Sequence, residues 1–396
     1  MGELGVNMHH AVVVDGDGHV MEPEDLWLRY LEPQWRDRAI RIARDAQGIE
    51  NLLIDGRGHR LVRGKLGTLG GIGMQDDLEA LFTPGARSYQ DGLVPGGYDP
   101  AARLEVLDAE GIDIVLLYPT IGIHWEGHVA DAALADAYTR AYNRYIVDFC
   151  ARDRRRLKPI AHINLLDVDL AVAEAERARK DGCVGIYLSP DPASRGDRSL
   201  GDRELARFWD AASDLGMPLG LHVVSRDNDA NPLHHYIKKS DLSDSGTVGL
   251  VATFFGLEVM MAFTQMLTEG VFERHPRLRL AVLETGSNWL AAWLERMDHK
   301  AEKLIAGRDG ALKLKPSEYF ARQCVISADP DETQTRAVID RLGDDKLIWA
   351  SDYPHIDAEM NVLALLQEQI GGLPEESRNR ILGGNCLRFY GLEAMK

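Results

Sequence analysis

Cysteine is scarce. The 396 residues hold four, Cys150, Cys183, Cys324 and Cys386. None forms a CxxC pair, which argues against a thiolate zinc site and a disulfide framework and leads us to expect a reducing cytoplasm. Basic residues are also in short supply: 45 Lys and Arg against 62 Asp and Glu, a formal charge of −17. An acidic surface of this kind disfavours nucleic acid and anionic membranes as partners. The apolar runs are too short or too interrupted to span a bilayer. Met1 to His10 shows no basic stretch followed by an apolar one, so no signal peptide is expected. Low-complexity linkers are missing as well.

What the chain does have is a rhythm. Hydrophobic residues make up 45% of it, enough for a large core. Short apolar, β-branched runs end in a polar residue and are followed by amphipathic helices. Eight runs are predicted as strands: Ala11–Val14, Ile112–Tyr118, Pro159–Asn164, Cys183–Leu188, Pro218–Val223, Arg279–Leu283, Gln323–Ser327 and Lys346–Ala350. Near-continuous apolar strands alternating with helices indicate a parallel sheet covered on both faces. Eight such units favour an α/β fold closed into a (β/α)8 TIM barrel, with residues 1–396 as one domain. Helices are expected at Pro100–Ala109, Ala132–Ala151, Asp167–Lys180 and Trp289–Leu304. The apolar, methionine-rich segment Gly249–Leu267 reads as a buried helix pair or the face of a homodimer.

About 80 residues separate the first strand from the next clear helix, too many for an ordinary loop. Within them Ile40–Ala43, Asn51–Ile54 and His59–Val62 resemble a small antiparallel meander turning at Asp55–Gly58, and Gly-rich stretches follow. Glu22–Gly97 is therefore expected to leave the C-terminal rim of the barrel and lie over its mouth as a lid.

Active sites of this fold form at the C-terminal ends of the strands. The first predicted strand runs into Asp17-Gly18-His19, whose alternate side chains point the same way. The fifth ends in His222, the sixth in Glu284 and the eighth in Asp352. Singly, each has a plain structural explanation as cap, turn or ion-pair residue. Together they bring two imidazoles and three carboxylates toward one point, and unpaired carboxylates are not buried together without neutralisation. A divalent cation supplies that charge. Mixed imidazole and carboxylate ligation suits Zn, Mn or Fe(II).

The segments DGDGHV, LHVV, LETGSNWL and ASDYPH, in this order and spacing, resemble the amidohydrolase superfamily. They are most similar to its amidohydrolase-2 branch, which includes aminocarboxymuconate-semialdehyde decarboxylase and hydroxybenzoate decarboxylases. YDPAARLEVLDAEGIDIVLLYPT, GVFERHPRLRLAVLE and ILGGNCLRFYGL extend the resemblance over nearly the whole chain. It implies Asp17, His19, His222 and Asp352 as metal ligands. The sixth-strand position, often histidine in that family, is Glu284 here, implying an extra or bridging ligand if two ions bind and a general base if one does. The fourth-strand end, GIYLSP, offers no lysine for a carbamylated bridge.

Such a site activates a metal-bound water, with Asp352 accepting and returning the proton. The leading expectation is hydrolysis of an amide, ester or thioester. The alternative is nonoxidative decarboxylation of an aromatic or unsaturated carboxylic acid, in which the metal anchors the carboxylate and an acid protonates carbon. A third reading is an inactive barrel that binds a ligand. All three name a small carbonyl or carboxylate compound as partner. Among the other histidines, His124 and His128 face the correct rim and are candidates for substrate or acid–base work. His355 is a candidate to orient the metal site. His162 reads as core. His234 and His235 read as part of a lid, and His9 and His10 as disordered. His59, His275 and His299 are discounted.

Overall fold

The computed structural model describes residues 11–77, 83–225, 255–305, 307 and 312–393. Expectations for His9, His10, His234, His235 and residues 249–254 lie outside these. Eight parallel strands alternate with helices around a barrel, in the order β1 (Val14–His19), β5 (Ile114–Tyr118), β6 (Leu157–His162), β7 (Gly185–Leu188), β8 (Leu219–Leu221), β9 (Leu280–Val282), β10 (Cys324–Ala328) and β11 (Leu347–Trp349). A separate antiparallel sheet holds β2 (Arg41–Arg44), β3 (Glu50–Ile54) and β4 (Arg57–Gly58).

All eight expected strands are present, and the helices are close to expectation. Helix Ala132–Cys150 is capped by Asp131 and helix Val168–Asp181 by Asp167, each side chain accepting two backbone N–H bonds. Helix Gly256–Thr268 buries Val259, Phe263, Met266 and Leu267. Two corrections concern strands. β1 starts at Val14 and runs through Asp17 and His19, so these residues belong to the strand instead of following it. The third meander strand is Arg57–Gly58, not His59–Val62. Asp55 and Gly56 alone make the turn, both with left-handed backbone (φ +48° and +76°), as a two-residue hairpin requires.

The core has two layers. Val14, Ile114, Leu116, Ile160, Tyr187, Ala281, Leu283, Val325 and Ile348 fill the barrel interior. A larger set, including Leu117, Leu188, Leu221 and Ile326, packs outward against the helices. The N-terminal end is plugged by Tyr390, whose hydroxyl lies 3.1 Å from that of Tyr118. A Cβ on Gly220 would fall 2.4 Å from the Tyr118 hydroxyl, so glycine there makes room for the Tyr118 ring, which stacks on His222 at 5.5 Å.

β1 and β11 share no regular ladder. Their seam is closed at the C-terminal end, where Asp352 N–H donates to Asp17 O (3.0 Å) and His19 N–H donates to Tyr353 O (2.7 Å). Just below, the buried Asp15 carboxylate accepts from Ser351 N (3.0 Å) and Ser351 Oγ (2.6 Å).

The insertion after β1 meets loops on this same rim. The Glu22 carboxylate accepts from Ile121 N (2.7 Å) and Gly122 N (3.0 Å), beyond β5. His59 Nε2 lies 3.1 Å from Ser225 O, beyond β8, and Ile72 N donates to Pro354 O (3.2 Å), beyond β11.

Candidate metal centre

In a tilted barrel, residues at one height climb one position per strand relative to the hydrogen-bonded register, and alternate strands point inward. Carried round from His19, the register places His162 on β6, His222 beyond β8 and Asp329 beyond β10 in one inward layer. His19 and His222 are fully buried and meet at the centre, their Nε2 atoms 3.2 Å apart. Each ring is oriented from behind: His19 Nδ1 lies 3.0 Å from Pro119 O, and His222 Nδ1 lies 3.0 Å from Val223 O. A carbonyl only accepts, so both rings carry a proton on Nδ1 and turn Nε2 to the centre.

The carboxylates close around them. Asp17, 1% exposed, puts Oδ1 3.6 Å from His19 Nε2 and Oδ2 3.5 Å from His222 Nε2. Glu284 Oε2 lies 2.7 Å from His222 Nε2 and 4.0 Å from His19 Nε2. Asp352 Oδ1 lies 3.2 Å from His19 Nε2 and 2.7 Å from His355 Nδ1, and His355 Nε2 reaches Thr120 Oγ1 at 2.9 Å. Potential ligand atoms thus form two overlapping groups: Asp17, His19, His222 and Glu284, and then His19, Glu284, Asp352 and His355.

Glu284 follows inward-facing Leu283, so regular alternation would send it outward. A left-handed backbone (φ +50°) breaks the alternation, and Asp352 has the same conformation (φ +54°). Side chains longer than glycine rarely adopt it, and such strain concentrates at functional sites.

The residues fit a divalent cation. Asp17 Oδ1 is buried without a hydrogen-bond partner, Glu284 Oε2 and Asp352 Oδ1 close in beside it, and two imidazole Nε2 atoms face each other between them. Burial pushes the Asp17 carboxyl far above the carboxylate range, with Glu284 and Asp352 adding repulsion against the pull of His222. At His222 burial works against charge, but Asp17 and Glu284 outweigh it and push the imidazole up to about 10. Burial, then His355, drives His19 down to about 3. The carboxylates of Asp17, Glu284 and Asp352 outweigh the positive charge the imidazoles supply, and the N/O donor set suits Zn, Mn or Fe(II).

The remaining candidates separate. His124 is buried but belongs to neither ligand group. Its ring lies 5.2 Å from His59, which also meets His128 at 5.0 Å. His59, discounted on sequence, thus joins the insertion to the β5 loop; as it sits on no strand end, nothing in the pattern marked it. His162, read as core, is fully buried, stacked on Trp125 and 3.1 Å from buried Glu126. His275 pairs with Asp210 at 2.7 Å, away from the centre.

Sequence reasoning missed Asp329. The seventh predicted strand stops at Ser327, and the strand-end rule applied two residues later would have marked it. Burial and the charges of Glu332, Asp352, Asp331 and Glu284 push its carboxyl up to about 8.

Comparison with known proteins bears on the fold and the family. The model of the family described as Amidohydrolase matches residues 54–392. The 2-amino-3-carboxymuconate-6-semialdehyde decarboxylase of Dictyostelium discoideum is 23% identical over 303 residues, 76% of this chain and 78% of that protein. An amidohydrolase from Mycobacterium avium subsp. paratuberculosis has a similar structure, with a TM-score of 0.78, 22% identity and coverage of 96% of this chain and all of that one. A dihydroxybenzoic acid decarboxylase from Polaromonas sp. JS666, solved with manganese and the inhibitor 2-nitroresorcinol, aligns with a TM-score of 0.66, 18% identity and coverage of 97% and 98%.

Proposed function

The chain belongs to the amidohydrolase family, and from that premise we propose that it is a metal-dependent nonoxidative decarboxylase of a small aromatic or unsaturated carboxylic acid. The observation that carries the reading is the pair of Nε2 atoms 3.2 Å apart, ringed by the carboxylates of Asp17, Glu284 and Asp352. Hydrolysis, the leading expectation from sequence, could use the same side chains. It yields to decarboxylation because two of the three named relatives are decarboxylases.

Asp17, His19, His222 and Glu284, with Asp352, would hold the ion, and manganese is the first candidate because the Polaromonas enzyme was solved with it. When bound, the ion offsets the buried carboxylates and anchors the substrate's carboxylate. The residues do the rest. The carbonyls of Pro119 and Val223 hold both imidazoles in one tautomer. Asp352, His355 and Thr120 form a hydrogen-bonded line that stores a proton at the edge of the cavity, where Asp352 is 18% exposed. As the carbon–carboxylate bond breaks, its electron pair stays on carbon and takes that proton; carbon dioxide leaves and solvent restores the proton. The insertion, packed on the loops after β5, β8 and β11, acts as a lid that limits water. Four buried cysteines without disulfides suit the cytoplasm.

The test is carbon dioxide release from hydroxylated aromatic acids and from 2-amino-muconate-type acids, using protein loaded with Mn2+. His222→Ala should lose most bound metal by mass spectrometry and at least about a hundredfold in turnover. Hydrolysis of esters or amides without carbon dioxide release would overturn the proposal.

A further inference from the structure

The ligand set occupies β1, β8, β9 and β11, leaving two members of the inward layer without a role in holding metal: His162 and Asp329. His162 is spoken for by Glu126. Asp329 is not: its carboxylate makes no hydrogen bond or ion pair among the described residues. It leaves β10 at the height of His19 and His222, close enough to Asp352 and Glu284 to feel their charges. It is partly exposed, as are Glu284 (23%) and Asp352 (18%).

Its acidic neighbour Glu332 serves a different purpose. That carboxylate accepts from Ser287 N (2.7 Å), Ser287 Oγ (2.7 Å) and Asn288 N (3.2 Å), tying down the loop after β9. Asp329 Oδ2 lies against the same loop, 3.8 Å from where a Cβ on Gly286 would stand, yet takes none of these donors. Asp17, almost wholly buried, aims its unpartnered Oδ1 into the centre that this wall flanks. The candidate metal centre is therefore flanked, toward β10, by a carboxylate with unused acceptors.

We propose that Asp329 is a specificity residue that accepts a hydrogen bond from a hydroxyl or amino group on the substrate, beside the carboxylate held at the metal. The proposal deepens the decarboxylase reading and takes from it the identity of the anchored group. A donor on the substrate relieves an acceptor that is otherwise partly desolvated among like charges. With the cation offsetting Glu284 and Asp352, the Asp329 carboxyl would ionise, and a second carboxylate placed against it would meet repulsion, so the wall rejects a carboxylate at that position as well as selecting a hydroxyl or amino group there. Sites built to hydrogen-bond a substrate group discriminate strongly against analogues that lack it, because the protein partner is left unsatisfied.

Equilibrium binding tests this without requiring turnover. The Mn2+-loaded full chain is titrated calorimetrically with 2-hydroxybenzoate, 2,6-dihydroxybenzoate and 2-hydroxybenzene-1,3-dicarboxylate. Wild type should favour the dihydroxy acid over the monohydroxy acid by about tenfold or more and bind the dicarboxylate weakest. Asp329→Ala should abolish the first preference and improve dicarboxylate binding, with unchanged metal content. Asp329→Asn, which keeps shape and one acceptor, should retain part of the preference. Equal binding of the first two acids by wild type, parallel weakening of both in Asp329→Ala, loss of metal in either variant, or no binding of any of the three would overturn the assignment. A preserved binding preference in a protein that releases no carbon dioxide would sink the decarboxylase reading and leave Asp329 as the specificity residue.

Discussion

Glu284 and Asp352 show what single residues contribute and what they cost. Both extend their carboxylates from left-handed backbone, at φ +50° and +54°. An L-residue held there is disfavoured by roughly 1–2 kcal/mol, a penalty glycine escapes. Glu284→Gly removes both the strain and a carboxylate from a crowded site, against a loss of about 0.5–1 kcal/mol from greater freedom of the unfolded chain. The metal-free variant should therefore be at least as stable as metal-free wild type by denaturant unfolding, while binding metal far less tightly. A drop of several kcal/mol would show that Glu284 is a structural residue. Its kind and its place after the sixth strand were readable from LETGSNWL. The inward turn was not, because alternation predicts the opposite and only tertiary packing sets φ.

Elements were readable in proportion to their periodicity. The long helices and buried strands announce themselves through spacing and caps such as Asp131 and Asp167. The meander was harder, because a two-residue turn and a two-residue strand leave almost no pattern. The insertion is also fastened by an ion-pair clamp that no periodicity encodes: Glu32 accepts from Arg140 Nε (3.0 Å) and an Arg144 terminal nitrogen (2.7 Å) on helix Ala132–Cys150. Burial would raise the Glu32 carboxyl, but these guanidinium hydrogen bonds overcome it and hold the group at about 2. A depressed carboxyl contributes stability above its unfolded value, near 4.5, and that contribution fades as pH falls toward 2. Partial exposure weakens the clamp, so Glu32→Gln should cost about 1 kcal/mol at pH 7. The gap from wild type should narrow by pH 3. Equal gaps at both pH values would mean that the clamp contributes through packing alone.

On the scale of the molecule, the eightfold βα rhythm and the resemblance spread along the chain make the barrel legible in the sequence. The one-layer arrangement of His19, His162, His222 and Asp329 required the observed register, since a shift of one residue on any strand would redistribute them. The centre also ties stability to the ion. A ligand that binds only the folded state stabilises by RT ln(1 + [L]/Kd), about 2.7 kcal/mol at a hundredfold excess over Kd. Melting temperature should rise with added Mn2+ in wild type and stay flat in His222→Ala, as followed by calorimetry. A rise in both would place the stabilising ion elsewhere.

The seam between β1 and β11 carries a consequence for biosynthesis. The hydrogen bonds that close it join the backbones of Asp17 and Asp352 and of His19 and Tyr353, in the same residues that surround the cation position. Translation proceeds from the N-terminus, so Asp17 and His19 are made hundreds of residues before Glu284 and Asp352. A growing chain that meets an ion offers it half a site. If these residues hold the ion, capture would wait until β11 has been made and has docked against β1, so loading would follow folding, and chains interrupted before β11 would be left with their acidic residues uncompensated.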